Sequence, residues 1–225
     1  MVELRGVSKV YARAVGGRVE ALLDLTVEVK PGETLVVSGP SGAGKSTLLR
    51  LVTGEERPTR GTVTVLDENV GRLSRVKLAR LRRELGIVPQ GRRLLEDRTA
   101  FANLAFVLRA LGRSRREARE ATRETLAEVG LTERRRARAR ELAEADRLRL
   151  CLARALAPGP RLLVLDEPAT GLDGEALTGL VGVLRTCHDQ GTTILIATQA
   201  AELARRLDAR ALTLDRGRLR HGGTD

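Results

Sequence analysis

Apolar and polar positions follow two different rhythms along this chain. Three short runs, TLVVSG (34–39), RLLVLDE (161–167) and TTILIAT (192–198), are continuously apolar, as strands are when a sheet is covered on both faces. Two others, LDLTVEVKPGE (23–33) and RGTVTVL (60–66), alternate; they read as half-exposed antiparallel strands, the first turning at Pro31-Gly32. Helical spacing marks KSTLLRLVTG (45–54), TAFANLAFVLRALG (99–112) and SRREAREATRETLAEVG (114–130), the last two closed by Gly112 and Gly130. A basic run, ERRRARAR (133–140), precedes ELAEADRLRLCLARAL (141–156), which opens with acids and continues as an apolar helix. Strands interleaved with helices predict an α/β fold with a largely parallel sheet, and a helical segment inserted between its two halves.

At 225 residues the chain can bury one sizeable core. Its 42% hydrophobic and 31% charged content is that of an ordinary globular protein. No apolar run is long enough to cross a bilayer, and MVELRGVSKVYARA has no apolar core of a secretory signal; the chain is expected in the cytoplasm. Cys151 and Cys187 are too few for a disulfide framework or a zinc site and read as buried free thiols. The net charge of +11 suggests nucleic acid. However, the basic residues are mostly arginines spread along the chain. The aromatics are only Tyr11, Phe101 and Phe106, too few for a base-stacking platform. No specific nucleic-acid partner is expected.

The chemistry begins at GPSGAGKST (39–47), which matches G-x-x-x-x-G-K-[ST] at Gly39, Gly44, Lys45 and Ser46. The stretch leaves a predicted strand and enters a predicted helix, the context this phosphate loop requires. Its glycines let successive N–H groups converge on an anion, and the helix adds its positive end. Lys45 can reach the outer phosphates and the Ser46 hydroxyl can ligate Mg²⁺. Far along the chain, LLVLDE puts Asp166 at the carboxyl end of a buried strand, where it can hold Mg²⁺. Glu167 beside it can orient or deprotonate an attacking water. Together these predict a site for ATP and Mg²⁺.

Order and spacing go further. VSKVY (7–11), VEALLDLTVEVKPGE (19–33), SGPSGAGKSTLLRLVTGEERPTRG (38–61), LARLRRELGIVPQ (78–90), RLLEDRTAFANLAF (93–106) and LARALAPGPRLLVLDEPATGLD (152–173) together resemble the ATP-binding cassette (ABC) ATPases over essentially the whole length. Within these the chain looks most like the cell-division FtsE family, although lipoprotein-releasing and efflux-type ABC ATPases share most of the stretches. The resemblance implies a RecA-like P-loop core (1–90 and 157–225) with an antiparallel β subdomain, and a helical subdomain (91–156). It implies a phosphate site from Gly39, Ser41, Gly42, Ala43, Gly44, Lys45, Ser46 and Thr47. Tyr11 would stack on adenine, and Ser46, Gln90 and Asp166 would meet the metal. Asp173 would lie at the interface of a dimer of ATPase chains, identical or not. The implied partner is an integral, permease-like membrane protein such as FtsX, which would hold the chain on the inner face of the cell membrane.

Two departures stand out. Counting back from Ala153-Arg154-Ala155-Leu156, the family's L-S-G-G-[QE] signature falls on Leu142-Ala143-Glu144-Ala145-Asp146. Ala143 replaces the serine, and Glu144 and Ala145 replace the glycines that face the other chain's γ-phosphate. A Glu144 side chain pointing inward would repel that phosphate by about 3 kcal/mol at ~5 Å and an effective dielectric near 20. After the strand TTILIAT the family carries a histidine, where this chain has Gln199, a neutral donor. His188 and His221 read as surface residues. Losing a donor to developing charge costs about 10²–10³ in rate, so slow hydrolysis is expected, with Glu167 and Gln199 as the catalytic candidates; the alternative is an ATP-binding regulatory subunit with negligible hydrolysis.

Overall fold

The computed structural model describes residues 1–12, 17–200 and 202–220; His221 lies outside them. The chain opens with β1 (Val2–Ala12), β2 (Arg18–Val29), β3 (Thr34–Ser38), α1 (Lys45–Val52), β4 (Arg60–Val65), β5 (Glu68–Asn69), α2 (Arg75–Arg83) and β6 (Leu85–Val88). Three helices follow: α3 (Ala100–Ala110), α4 (Arg115–Glu128) and α5 (Glu144–Leu156). Strands and helices then alternate through β7 (Leu162–Asp166), α6 (Gly174–Asp189), β8 (Thr193–Thr198), α7 (Glu202–Leu207), β9 (Arg210–Asp215) and β10 (Arg218–Arg220).

Two sheets result. One has six strands in the order β10-β9-β3-β8-β7-β6, parallel from β9 to β6, with β10 antiparallel at one edge. Its central strands are the continuously apolar runs, and β3 and β8 are buried along their whole length. Successive side chains leave a strand on opposite faces. Accordingly, Leu35 and Val37 join the core that covers α1, while Val36 joins the core beneath α3 to α6. The other sheet, β2-β1-β4-β5, is antiparallel. β2 buries Leu25, Val27 and Val29 and exposes the residues between them, as its alternation requires.

The inserted helices are locally well specified. Thr99 accepts from the Ala102 N–H to cap α3, and Ser114 forms a capping box with Glu117 on α4. Buried Asn103 ties down the loop before α3, exchanging bonds with the N–H and carbonyl of Leu95. The basic run after α4 is not a regular helix; Arg138 instead bridges to Thr99. Leu148, Leu150 and Leu152 of α5 share one buried cluster with Leu163 and Leu165 of β7, so insertion and sheet are packed into each other. Cys151 and Cys187 are both buried and free, and burial pushes each thiol up to about 11. His188 is exposed. No helix among the described residues is long and apolar enough to cross a membrane.

Candidate active site

The loop between β3 and α1 curls through three glycines of positive φ: Gly39 at 148°, Gly42 at 76° and Gly44 at 107°. Two of them also admit neighbouring backbone. A Cβ on Gly39 would sit 2.1 Å from the Leu214 carbonyl oxygen, and one on Gly44 would sit 2.3 Å from that of Ala21. Behind the loop, the Gly217 N–H donates to the Ala43 carbonyl at 2.9 Å. Among the described residues, the N–H groups of Lys45, Ser46 and Thr47 donate to no protein acceptor, and Gly44 offers α1 no side-chain cap. A helix start with free donors and its positive dipole end is an anion cradle. Ser41 and Gly42 lie on the same loop, and both are exposed.

Lys45 lies within that cradle, its side chain only 5% exposed. Its ammonium donates to the carbonyls of Gly39 at 2.8 Å and Pro40 at 3.0 Å, and stands 3.3 Å from Glu167 Oε1. The other Glu167 oxygen accepts the Gln199 N–H at 3.0 Å. The Gln199 side chain itself is exposed.

One residue earlier, Asp166 Oδ1 accepts from the Ser46 hydroxyl at 3.1 Å. β8 lies between β3 and β7, so this bond spans the carboxyl end of the sheet, where open α/β sheets bind ligands. Burial raises the Asp166 carboxyl above its ordinary 3.8; the Ser46 bond opposes this and neighbouring Glu167 adds to it. Gln90 shares with Ser46 and Asp166 a cleft of about 120 Å³. Among the described residues no three His, Cys, Asp or Glu side chains are grouped to hold a metal by themselves. One hydroxyl and one carboxylate fit Mg²⁺ that takes its remaining oxygens from water and phosphate.

Other expected residues lie elsewhere. The Tyr11 ring lies beneath the Lys9 ammonium, 4.9 Å from its centroid, and its buried hydroxyl has no hydrogen-bond partner among the described residues. Asp173 caps α6, accepting from the Ala176 N–H at 2.8 Å. α5 starts at Glu144 with Ala143 at its cap position and no side-chain cap. α2, α3, α4 and α6 all have a side-chain cap; α1 and α5 do not.

The structure gives Glu144 a partner that the sequence reading did not include. Its carboxylate is ion-paired with the Arg92 guanidinium. Arg92 also donates to the Glu144 carbonyl at 3.0 Å and the Thr170 carbonyl at 3.1 Å. The condition of a lone inward carboxylate is thus not the one found in this chain, where Glu144 is paired. Arg92 was not singled out in the sequence. The available signal was an acid in place of a glycine, which calls for a cation nearby.

A cradle with a buried lysine, facing an Asp-Glu pair across a parallel sheet, defines a phosphate-loop nucleotide-binding protein. Residues 22–170 match the family described as ABC transporter, and the chain belongs to that family. Its fold and phosphate loop are those of an ATP-binding cassette. It is 38% identical over 220 residues to the methionine import ATP-binding protein MetN of Symbiobacterium thermophilum, covering 97% of this chain and 66% of that one. The chain thus spans just under two thirds of the MetN relatives it matches. It is 33% identical over 219 residues to the cell division ATP-binding protein FtsE of Streptococcus pneumoniae D39, covering 97% of this chain and 94% of that one. Among solved structures, the dimeric ATP-binding cassette MJ0796, in a post-hydrolysis state with ADP and phosphate, superimposes with a TM-score of 0.91. It is 27% identical, over 98% of this chain and 97% of that one.

Proposed function

We propose that this chain is the ATP-binding subunit of an FtsE-like complex, in which ATP binding and slow hydrolysis drive a membrane partner. The observation that carries the catalytic part is the paired geometry of Lys45 with Glu167 and Ser46 with Asp166. In this reading the loop from Gly39 to Thr47 holds the triphosphate by its N–H groups. Lys45 exchanges its carbonyl partners for phosphate oxygens, and Tyr11 stacks on the adenine. Ser46, Asp166 and Gln90 would hold Mg²⁺, which would supply positive charge to neutralise and polarise the phosphate oxygens. Glu167 orients and deprotonates the attacking water, and Gln199 supplies a neutral donor on the same side. Purified protein binds Mg-ATP and loses that binding on Lys45→Ala; equal affinity in the variant rules this reading out. Phosphate release that persists on Glu167→Gln removes the assigned base.

The FtsE-like assignment is supported by RLLEDRT and GEERPT, and by the likeness to the pneumococcal FtsE. A second reading, the ATPase of an importer, is favoured by the higher identity to MetN proteins. The two separate by which membrane protein co-purifies with the chain. For either partner, the docking face is the groove between α2–β6 and α3–α5, about 420 Å³, where Arg83, Ile87, Pro89, Val107 and Leu111 come together. Exposed Phe106 also lies on α3. Through that partner the chain sits on the inner face of the cell membrane. In the closed dimer each phosphate loop meets the other chain's α5 and Asp173. Lacking the signature's serine and glycines at Ala143, Glu144 and Ala145, an opposing site turns over slowly.

A further inference from the structure

The loop after Gln90, the start of α5 and the segment between β7 and α6 are far apart in sequence, and one side chain ties them together. Arg92 is only 8% exposed, and its backbone is held in the left-handed region at φ 42°, a conformation that persists only where surroundings enforce it. The fork of its guanidinium serves both sides. Nη1 bonds the Glu144 carbonyl and carboxylate, and Nη2 bonds the Thr170 carbonyl. Glu144 continues the chain of charges, lying 3.8 Å from Arg147 Nε, and Arg147 clasps Glu96 with both terminal nitrogens at 2.9 and 2.6 Å. Thr170 is the middle of a short segment with Glu167 at one end and Asp173 at the other, and its N–H donates to the Glu167 carbonyl.

A planar, five-donor fork that is always charged suits a joint of this kind; an ammonium cannot reach both sides in fixed geometry. The acid at position 144 also gains a role that a glycine there could not have. Its half-exposed carboxylate neutralises the buried Arg92 guanidinium, which would be costly unpaired.

We propose that Arg92, clamped by Glu144, is a positioning residue that fixes the 167–173 segment, and through it Glu167, to the loop carrying Gln90. In this chain the altered signature has become an intrachain joint. The inference rests on the reading of Glu167 as the group that orients water.

The test uses the full chain and five proteins: wild type, Arg92→Ala, Arg92→Lys, Glu144→Ala and, as the coupled control, Arg92→Ala/Glu144→Ala. Steady-state phosphate release and amide hydrogen exchange are both measured. Arg92→Ala should lower kcat about tenfold or more while leaving KM for ATP within about twofold. It should speed exchange in 167–173 about tenfold or more while the β3–α1 segment stays protected. Arg92→Lys should fall between, and the double variant should match Arg92→Ala. Wild-type kcat and exchange in Arg92→Ala overturn the inference. So does a uniform rise in exchange with kcat and KM failing together, which marks a merely structural role. Should Arg92→Ala fail to fold, Glu144→Ala and Arg92→Lys decide by the same two readouts. Wild-type turnover in Glu167→Gln sinks the underlying assignment instead, and leaves the exchange result to judge the joint.

Discussion

Replacing Lys45 by methionine keeps the length of the side chain and removes its charge from the most buried ion pair among the described residues. The ammonium stands 3.3 Å from Glu167, with the two side chains 5% and 6% exposed. At an effective dielectric near 20 that separation corresponds to about 5 kcal/mol of attraction. Much of this offsets the desolvation of two ions, so the intact pair adds little over two neutral groups. Removing one partner is different. It strands a carboxylate beside Asp166, with the Gln199 N–H at 3.0 Å as its remaining donor. Breaking a buried pair in this way costs about 3–5 kcal/mol. At about 2–4 °C per kcal/mol for a chain of this size, the nucleotide-free variant should melt about 6–20 °C below wild type. Adding Glu167→Gln removes the stranded charge and should return most of the loss, a coupling of about 2 kcal/mol or more. Circular-dichroism melting of the four proteins without nucleotide measures the whole cycle. A Lys45→Met melting point within about 2 °C of wild type, or strictly additive effects, refutes the reasoning.

Three further outcomes follow from the site and core. Mg-ATP at about a hundred times its Kd should stabilise the wild type by about 2.7 kcal/mol, and a thermal shift assay should find no such gain in Lys45→Met. Asp166→Asn should stabilise the nucleotide-free protein at pH 7 while abolishing the extra shift given by Mg²⁺ over ATP alone. The Asp166 carboxyl is raised above 3.8 in the folded protein, so its penalty is present at neutral pH. That penalty should fade in pH-dependent melts as the pH falls through the raised value toward 3.8; a gain that grows on acidification contradicts the assignment. With Cys151 and Cys187 pushed up to about 11, alkylation by iodoacetamide at pH 8, followed by mass spectrometry, should run at least about a hundredfold slower in the folded protein than in urea.

What the sequence disclosed depended on whether a structural demand is met locally. β3, β7 and β8 could be read because a strand covered on both faces must be apolar throughout. β2 and β4 could be read because one-sided burial enforces alternation. β1 could not: its register against β2 shifts between Leu4 and Val7 and again between Val7 and Lys9, and each shift breaks the period of two. β6 and β10 are too short to show a period, at 4 and 3 residues. The phosphate loop announces itself because glycine spacing, lysine and serine all lie within one turn of chain. The Arg92–Glu144 joint is hidden by the opposite circumstance. Its partners are 52 positions apart, and the arginine is one of 40 basic residues with no local mark of its burial. Placing Glu144 required the fold, since the resemblance could say only what it had replaced.

The backing of the phosphate loop also bears on when the protein becomes able to capture nucleotide. Leu214 lies against Gly39, and Gly217 bonds Ala43, so residues made well after the loop brace it from behind. A nascent chain exposing everything up to α7 would carry the whole glycine motif with no wall behind it. Triphosphate capture would thus wait on that wall, and ribosome-stalled intermediates should ignore ATP until β9 and the turn after it have emerged.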